Sequence, residues 1–195
     1  DIYLPMYGYT PPMKIQSVYL FNEIMYEGYE QTPSQLLIKT NEGVITFRPY
    51  GDNIVETQWH PDGTVDFSIS HAVAAKPKTV QTFVTEAGNR LMYDLPELQV
   101  LIQKHPLKIS YLINGKQILE EEKGFFARTD ASGMRFKLAA DEKLYGSGGR
   151  TSGINLRGRK LDLYNRPDYN YEIGADNLNY MIPTLLSSNK YMLLV

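Results

Sequence analysis

A segment near the carboxyl-terminal end of the chain is polar and aromatic, and a loop held between two strands is where a scaffold places binding residues. Residues 165–179 show no periodicity of apolar side chains and contain Asp168, Glu172 and Asp176. Four tyrosines lie in or beside this segment: Tyr164, Tyr169, Tyr171 and Tyr180. An ionised carboxylate accepts hydrogen bonds from two hydroxyls at once, and tyrosine combines a flat apolar face with a hydroxyl. These properties suit a sugar ring, although tyrosine is equally suited to β-strands.

The glycine cluster Gly146-Ser147-Gly148-Gly149 invites comparison with a phosphate-binding loop. The dinucleotide fingerprint requires glycine at its first, third and sixth positions and a helix after it. Thr151 occupies the sixth position, and no helical pattern follows. The cluster therefore predicts a tight bend between two strands, where the backbone needs positive φ or a close approach.

The sequence offers no pattern for metal or nucleophilic chemistry. His60, His71 and His105 are far apart and lack metal-ligand spacing, and the chain contains no cysteine. A Gly-x-Ser-x-Gly nucleophile elbow is also absent from the sequence. We therefore expect no metal site, no cofactor and no catalytic residue within these 195 residues.

The elements that must position the 165–179 segment have the pattern of β-strands. Asn41-Glu42-Gly43 and Asn114-Gly115 are hairpin signals between alternating runs, and Leu161 and Leu163 also have strand spacing. About ten to fourteen short strands predict an all-β fold, an antiparallel sandwich. The residues expected to be buried between its sheets are Val65, Phe67, Ile69, Leu98, Val100, Ile102, Met134, Phe136 and Leu138.

The amino-terminal segment is predicted to precede this sandwich as an extension. Residues 1–14 are rich in proline and indicate an extended lead-in, whereas 13–26 fit either a short helix or a strand. The predicted division is therefore an extension over 1–34 and a β-sandwich domain over 35–195.

Composition excludes two classes of partner. The formal net charge is −2, from 20 basic and 22 acidic residues, so the chain lacks the clustered positive charge of a nucleic-acid-binding protein. No apolar run approaches the roughly 18 residues that a membrane span requires.

The chain begins at Asp1 and shows no signal peptide, so cytoplasmic and periplasmic or secreted locations both stay open.

Several short motifs follow one another within about fifty residues. In chain order they are Glu142, Tyr145-Gly146-Ser147-Gly148, Arg157-Gly158, Tyr164-Asn165 with Asp168, and Ile182-Pro183 with Ser187-Ser188. Together they resemble the end of the N-terminal β-sandwich domain of glycoside hydrolase family 31, the α-glucosidase and α-xylosidase family. The sequence departs from that pattern at Gly149 (commonly Glu), at Tyr164 (Trp), and at Arg166-Pro167, which precede the aspartate.

The resemblance implies a galactose mutarotase-like sandwich and a role in retaining hydrolysis of α-linked glucosides or xylosides. Retention needs two carboxylates roughly 5–5.5 Å apart, and in this family both lie on a (β/α)₈ barrel that follows the sandwich. The only Trp-x-x-Asp, Trp59 to Asp62, lies in a predicted turn and does not match the catalytic motifs. We therefore expect a fragment that ends before the barrel, packs on it and lends the 165–179 segment to the sugar site.

The resemblance also implies which residues contact the sugar: Asp168 foremost, with Asn165 and Arg166. A competing interpretation is that Asp168 only caps the turn after Pro167, where aspartate is common. A second class of function stays open as well, a free-standing sandwich that binds carbohydrate or a protein partner without catalysis. The length of the gene distinguishes these classes, because an enzyme requires several hundred further residues with an alternating βα pattern.

Overall fold

The computed structural model describes residues 24–66, 72–127, 132–151, 153–167, 169–175 and 178–195. Every element of regular secondary structure in these ranges is a β-strand, and the hairpins that join the strands pair them antiparallel. This confirms the predicted all-β class.

The described residues up to Arg135 form one compact unit, and Phe136–Val195 form a second. No helix among the described residues is long and apolar enough to span a membrane.

The first sheet has four strands in sequential order, joined by hairpins. They are β1 (Tyr26–Thr32), β2 (Gln35–Thr40), β3 (Gly43–Gly51) and β4 (Ile54–His60). The hairpin predicted around Asn41-Glu42-Gly43 is confirmed, because Thr40 pairs with Gly43 across the turn. Strand β1 lies inside the 1–34 segment and pairs with β2 along its length. That part of the segment therefore belongs to the sheet, and residues 1–23 lie outside the described ranges.

The second sheet has six strands, ordered β10-β9-β8-β7-β6-β5. Their bounds are β5 (Phe83–Ala87), β6 (Arg90–Asp94), β7 (Gln99–Gln103), β8 (Lys108–Ile113), β9 (Lys116–Ala127) and β10 (Ser132–Lys137). Between β8 and β9, Asn114 and Gly115 have φ values of 50° and 73°. Both central residues thus adopt the positive φ that a type I′ turn requires, and the predicted hairpin is confirmed.

The core of this unit consists of apolar side chains from both sheets. Its fully buried members are Leu36, Ile38, Ile45, Phe47, Leu91, Tyr93, Val100, Ile102 and Ile109. The sheets meet where the Trp59 ring stacks on Phe125, with centroids 5.7 Å apart, and where Thr57 Oγ1 lies 2.8 Å from the Tyr111 hydroxyl. The predicted burial of Leu98, Val100 and Ile102 is confirmed.

Other expectations for the core are only partly met. The strand predicted over 64–70 is wrong for residues 64–66, which have no regular structure, and Phe67 and Ile69 lie outside the described residues. Met134, Phe136 and Leu138 are half-buried. Met134 and Phe136 belong to β10, which lies at the end of the six-stranded sheet and has β9 as its one neighbour among the described strands.

The second unit contains a three-stranded sheet and a small core of its own. Strands β11 (Leu144–Gly146), β12 (Thr184–Ser187) and β13 (Met192–Leu194) pair in that order. Leu144, Leu156, Leu161 and Leu185 are buried together beneath this sheet. The strand expected around Leu161 and Leu163 is wrong, because 159–167 form no ladder and Leu163 is exposed.

Candidate functional site

The motifs that carry the family resemblance converge on the buried carboxylate of Glu142. This side chain is 3% exposed. Its Oε1 accepts hydrogen bonds from Ser187 Oγ at 2.5 Å and from the Tyr191 hydroxyl at 2.6 Å. Its Oε2 accepts a third from the backbone N–H of Ala139 at 2.9 Å. A carboxylate offers only acceptor sites, so three converging donors match its hydrogen-bonding capacity.

Arg157, from the Arg157-Gly158 motif, completes this network. Its Nη1 donates to the carbonyl oxygens of Ala139 and Glu142, at 2.6 and 2.8 Å. Burial is the main cause that raises the pKa of the Tyr191 phenol, and the hydrogen bond to Glu142 raises it further. The Tyr191 hydroxyl therefore stays a donor at neutral pH. Glu142, Arg157 and Ser187 therefore have a structural role here, connecting the start of β11 to β12. Tyr191 also belongs to the network, although the sequence shows it only as the first residue of an apolar run.

The predicted bend at the glycine cluster is confirmed and has a geometric cause. Gly146, Ser147 and Gly148 have φ values of 104°, 63° and 91°. A Cβ added at Gly146 would lie 2.7 Å from the carbonyl oxygen of Thr184, and one at Gly148 would lie 2.5 Å from that of Tyr180. Both approaches are closer than a side chain tolerates, so the backbone reaches the chain that enters β12 only with glycine at these positions.

Two side chains fix the 165–179 segment to the rest of its unit. Asn165 Oδ1 accepts a hydrogen bond from the backbone N–H of Met181 at 2.6 Å, at the base of the segment. Farther along, Thr151 Oγ1 lies 3.1 Å from both the Glu172 and the Ala175 carbonyl oxygens, which share its single proton. The segment is thus anchored at its base and at the turn after Glu172, although it contains no strand in its described residues.

The side chains between these anchors face solvent. Tyr164, Tyr169, Tyr171 and Tyr180 are all more than half exposed, and Tyr169 reaches 88%. Asn165 and Arg166 are also exposed, whereas Asp168 and Asp176 lie outside the described residues. Among the residues that the structure describes, no group of three His, Asp or Glu side chains is arranged to hold a metal ion. The arrangement presents aromatic faces and hydroxyls on an anchored segment, which suits contact with a sugar.

A second buried carboxyl lies between the sheets of the sandwich. Glu121, on β9, is 1% exposed, and its Oε1 has no hydrogen-bond partner within the described part of the chain. The Tyr111 hydroxyl hydrogen-bonds to this carboxyl and also contacts Thr57 of the opposite sheet. Burial raises the pKa of Glu121 to about 8, because the ionised form loses its hydration. The acidic run Glu120-Glu121-Glu122 follows a strand in the sequence and predicts a solvated stretch rather than a cation site. That prediction is wrong for Glu121, which is buried.

We expect Glu142→Ala to destabilise the unit that contains β11–β13. The substitution leaves the donors of Ala139, Ser187 and Tyr191 without their acceptor, at about 1–3 kcal/mol for each buried donor that stays unpaired. Backbone amides of β11 and β12 should then exchange their hydrogens faster, as measured by mass spectrometry of the corresponding peptides. Glu142→Gln should give an intermediate effect, because an amide retains only one of the two acceptor oxygens.

Asp141→Ala is the matched control for Glu142→Ala, since the neighbouring acidic side chain is exposed. Its exchange rates should stay at the wild-type level. Equal exchange in the Glu142→Ala and Asp141→Ala proteins would contradict a structural role for the Glu142 network.

The fold defines the chain as an antiparallel β-sandwich module that continues into a smaller three-stranded unit with an anchored, tyrosine-bearing segment. Residues 44–195 match the family model of the glycosyl hydrolase 31 N-terminal galactose mutarotase-like domain. The match spans more than half of the chain, which therefore belongs to this family.

Comparison with individual proteins agrees with this assignment. The chain is 26% identical over 130 residues to alpha-glucosidase 2 of Bacillus thermoamyloliquefaciens, covering 65% of this chain and 16% of that protein. A GH31 dextranase of Flavobacterium johnsoniae, solved with glucose, shares the fold with a TM-score of 0.78 at 21% identity, over 87% of this chain and 22% of the dextranase. A GH31 α-xylosidase of Xanthomonas citri gives a TM-score of 0.64 at 21% identity, over 85% of this chain and 18% of that one. The chain thus spans about a fifth of the length of these relatives.

Proposed function

We propose that this chain is the N-terminal domain of an α-glycosidase that hydrolyses α-linked glucosides or xylosides with retention of configuration. Membership of the glycosyl hydrolase 31 N-terminal domain family over 44–195 is the observation that carries the proposal. The names of the relatives, an alpha-glucosidase, a dextranase and an α-xylosidase, support the substrate class. In this proposal the two carboxylates that retention requires come from a catalytic barrel, and none comes from this chain.

The proposed contribution of this chain to the substrate site is the 165–179 segment. Anchoring by Asn165 and Thr151 supports this role, because a binding segment must be held in place before it meets its ligand. Asp168 accepts hydrogen bonds from sugar hydroxyls on the leaving-group side, and Arg166 donates to them. Asn165 already uses its Oδ1 on the backbone of Met181, so it reaches a sugar through its amide nitrogen.

The test uses the complete protein that contains this sequence, assayed on a nitrophenyl α-glucoside, a nitrophenyl α-xyloside and the matching disaccharides. We expect hydrolysis of at least one substrate, with the product released in the α configuration. Absence of hydrolysis on all of them would contradict the proposed function. Turnover by the purified 195-residue chain alone would contradict the placement of both catalytic carboxylates on the barrel.

Within the complete protein, Asp168→Ala should weaken disaccharide hydrolysis by about 1–3 kcal/mol in kcat/KM, because sugar hydroxyls lose a charged acceptor. The loss on a nitrophenyl glycoside should be smaller, since that leaving group has no hydroxyls for Asp168 to accept. Asp162→Ala is the control, because this exposed aspartate lies just before the segment. Equal losses on both substrates, or none on either, would leave Asp168 as a turn residue.

A further inference from the structure

The three-stranded sheet of β11, β12 and β13 has apolar side chains on both faces. On one face, Leu185 pairs with Leu193, and Leu144 and Leu185 are buried in the small core of the unit. On the opposite face, which we call the outer face, Leu186 of β12 pairs with Tyr145 of β11 and with Met192 of β13. The next row of this outer face pairs Thr184 with Leu194. Cross-strand partners share a face, so Leu186, Met192 and Leu194 form one apolar surface.

This outer surface is open to solvent in the 195-residue chain. Leu186 is 46% exposed, Met192 61% and Leu194 52%. An antiparallel sheet with one solvated face normally alternates apolar and polar residues, whereas a sheet covered on both faces has continuous apolar runs. Strand β13, Met-Leu-Leu, is such a continuous run. The sequence of β13 is therefore that of a strand covered on both faces.

We propose that the outer face of this sheet, formed by Tyr145, Leu186, Met192 and Leu194, is where the catalytic part of the same enzyme docks. The inference rests on the proposed function, because it requires a longer polypeptide. The family is named for the N-terminal domain of a hydrolase, and this chain covers only 16–22% of the three relatives described above. Most of the polypeptide in those proteins is thus available as the occupant. Clustered apolar side chains of this kind mark surfaces that pack against another protein surface.

Cysteine labelling tests this inference directly, because the chain contains no cysteine of its own. Met192→Cys is introduced into the 195-residue chain and into the complete protein, and reaction of the corresponding peptide with a maleimide is followed by mass spectrometry. We expect Cys at 192 to react at least about tenfold more slowly in the complete protein, where reaction requires local opening of the interface. Ile54→Cys, at a 57% exposed position on β4, is the control that should react similarly in both.

Two outcomes overturn the docking inference. The first is equal labelling at position 192 in both proteins. The second is slow labelling of the 195-residue chain alone, rising on dilution, which would make this face an interface between two copies. An α-glycosidase assay on the same samples separates this inference from the proposed function. Free labelling in an active enzyme refutes the docking face alone, and protection in a protein inactive on α-glycosides refutes the activity alone.

Discussion

The contribution of Glu121 to the stability of the protein should fall as the pH rises from about 4.5 to about 8, because Glu121 ionises more easily in the unfolded chain than in the sandwich. Burial raises the pKa of Glu121 in the folded protein from 4.5 to about 8. Between these values the unfolded chain releases a proton that the folded protein keeps, so the free energy of unfolding falls with pH. The gap corresponds to at most about 5 kcal/mol, at about 1.4 kcal/mol per unit of pKa. Above about pH 8 this contribution levels off.

Glu121→Gln is the variant that isolates this effect, because an amide fills the same volume and does not ionise. We expect this variant to be more stable than wild type at pH 8, and the difference to shrink towards pH 5. Denaturant unfolding followed by Trp59 fluorescence measures it, since Trp59 is the only tryptophan and stacks on Phe125 in the same unit. Glu97→Gln is the matched control at an exposed glutamate. A stability difference between Glu121→Gln and wild type that does not change between pH 5 and pH 8 would contradict the raised pKa of Glu121.

Replacing Phe47 with alanine should lower the free energy of unfolding of the sandwich by about 3–5 kcal/mol, through lost burial and the cavity left behind. Phe47 is 0% exposed and lies on β3, which has a neighbouring strand on each side. Its strand neighbours are Leu36 and Thr57, so the cavity would open beside the Thr57–Tyr111 contact between the sheets.

Phe83→Ala is the control with identical chemistry, at a phenylalanine that is 58% exposed on β5. It should change stability by less than about 1 kcal/mol, as surface substitutions usually do. Denaturant unfolding with the Trp59 signal compares both variants with wild type. Similar losses at the two positions would show that burial between the sheets does not determine stability here.

Local sequence signals predicted the strands and turns well where the chemistry is local. Asn114-Gly115 forms the expected turn, since both residues adopt positive φ whatever packs around them. Alternation in Leu98, Val100 and Ile102 identified a buried face, because Val100 shares its face with Tyr111, which contacts Thr57 of the other sheet. The same alternation overestimated burial at Met134 and Phe136, and at Leu161 and Leu163 it predicted a strand that is absent. Alternation shows which side chains share a face, and only neighbouring strands and layers determine whether that face is covered.

The sequence likewise predicted some features of the candidate site and left others unpredicted. The order of the motifs in 142–188 identified the family, and the glycine cluster predicted the bend that leads out of β11. The motifs did not reveal that Glu142 accepts from Ser187, 45 residues away, or that Tyr191 joins them. Nor did they reveal that Asn165 uses its oxygen on Met181. Whether Asp168, Asn165 and Arg166 meet a sugar stays a prediction.

By itself, the sequence determined the all-β class, the hairpin turns and the family, because each depends on residues that are adjacent or in a fixed order along the chain. The tertiary structure alone decided that Glu121 is buried with one oxygen that no described residue pairs, that Glu142 collects three donors, and that Leu186, Met192 and Leu194 form one exposed face. These features join residues from different strands, or depend on what covers a strand. Burial and hydrogen-bond partners are properties of the packed arrangement, and local pattern carries no information about strands that are distant in sequence.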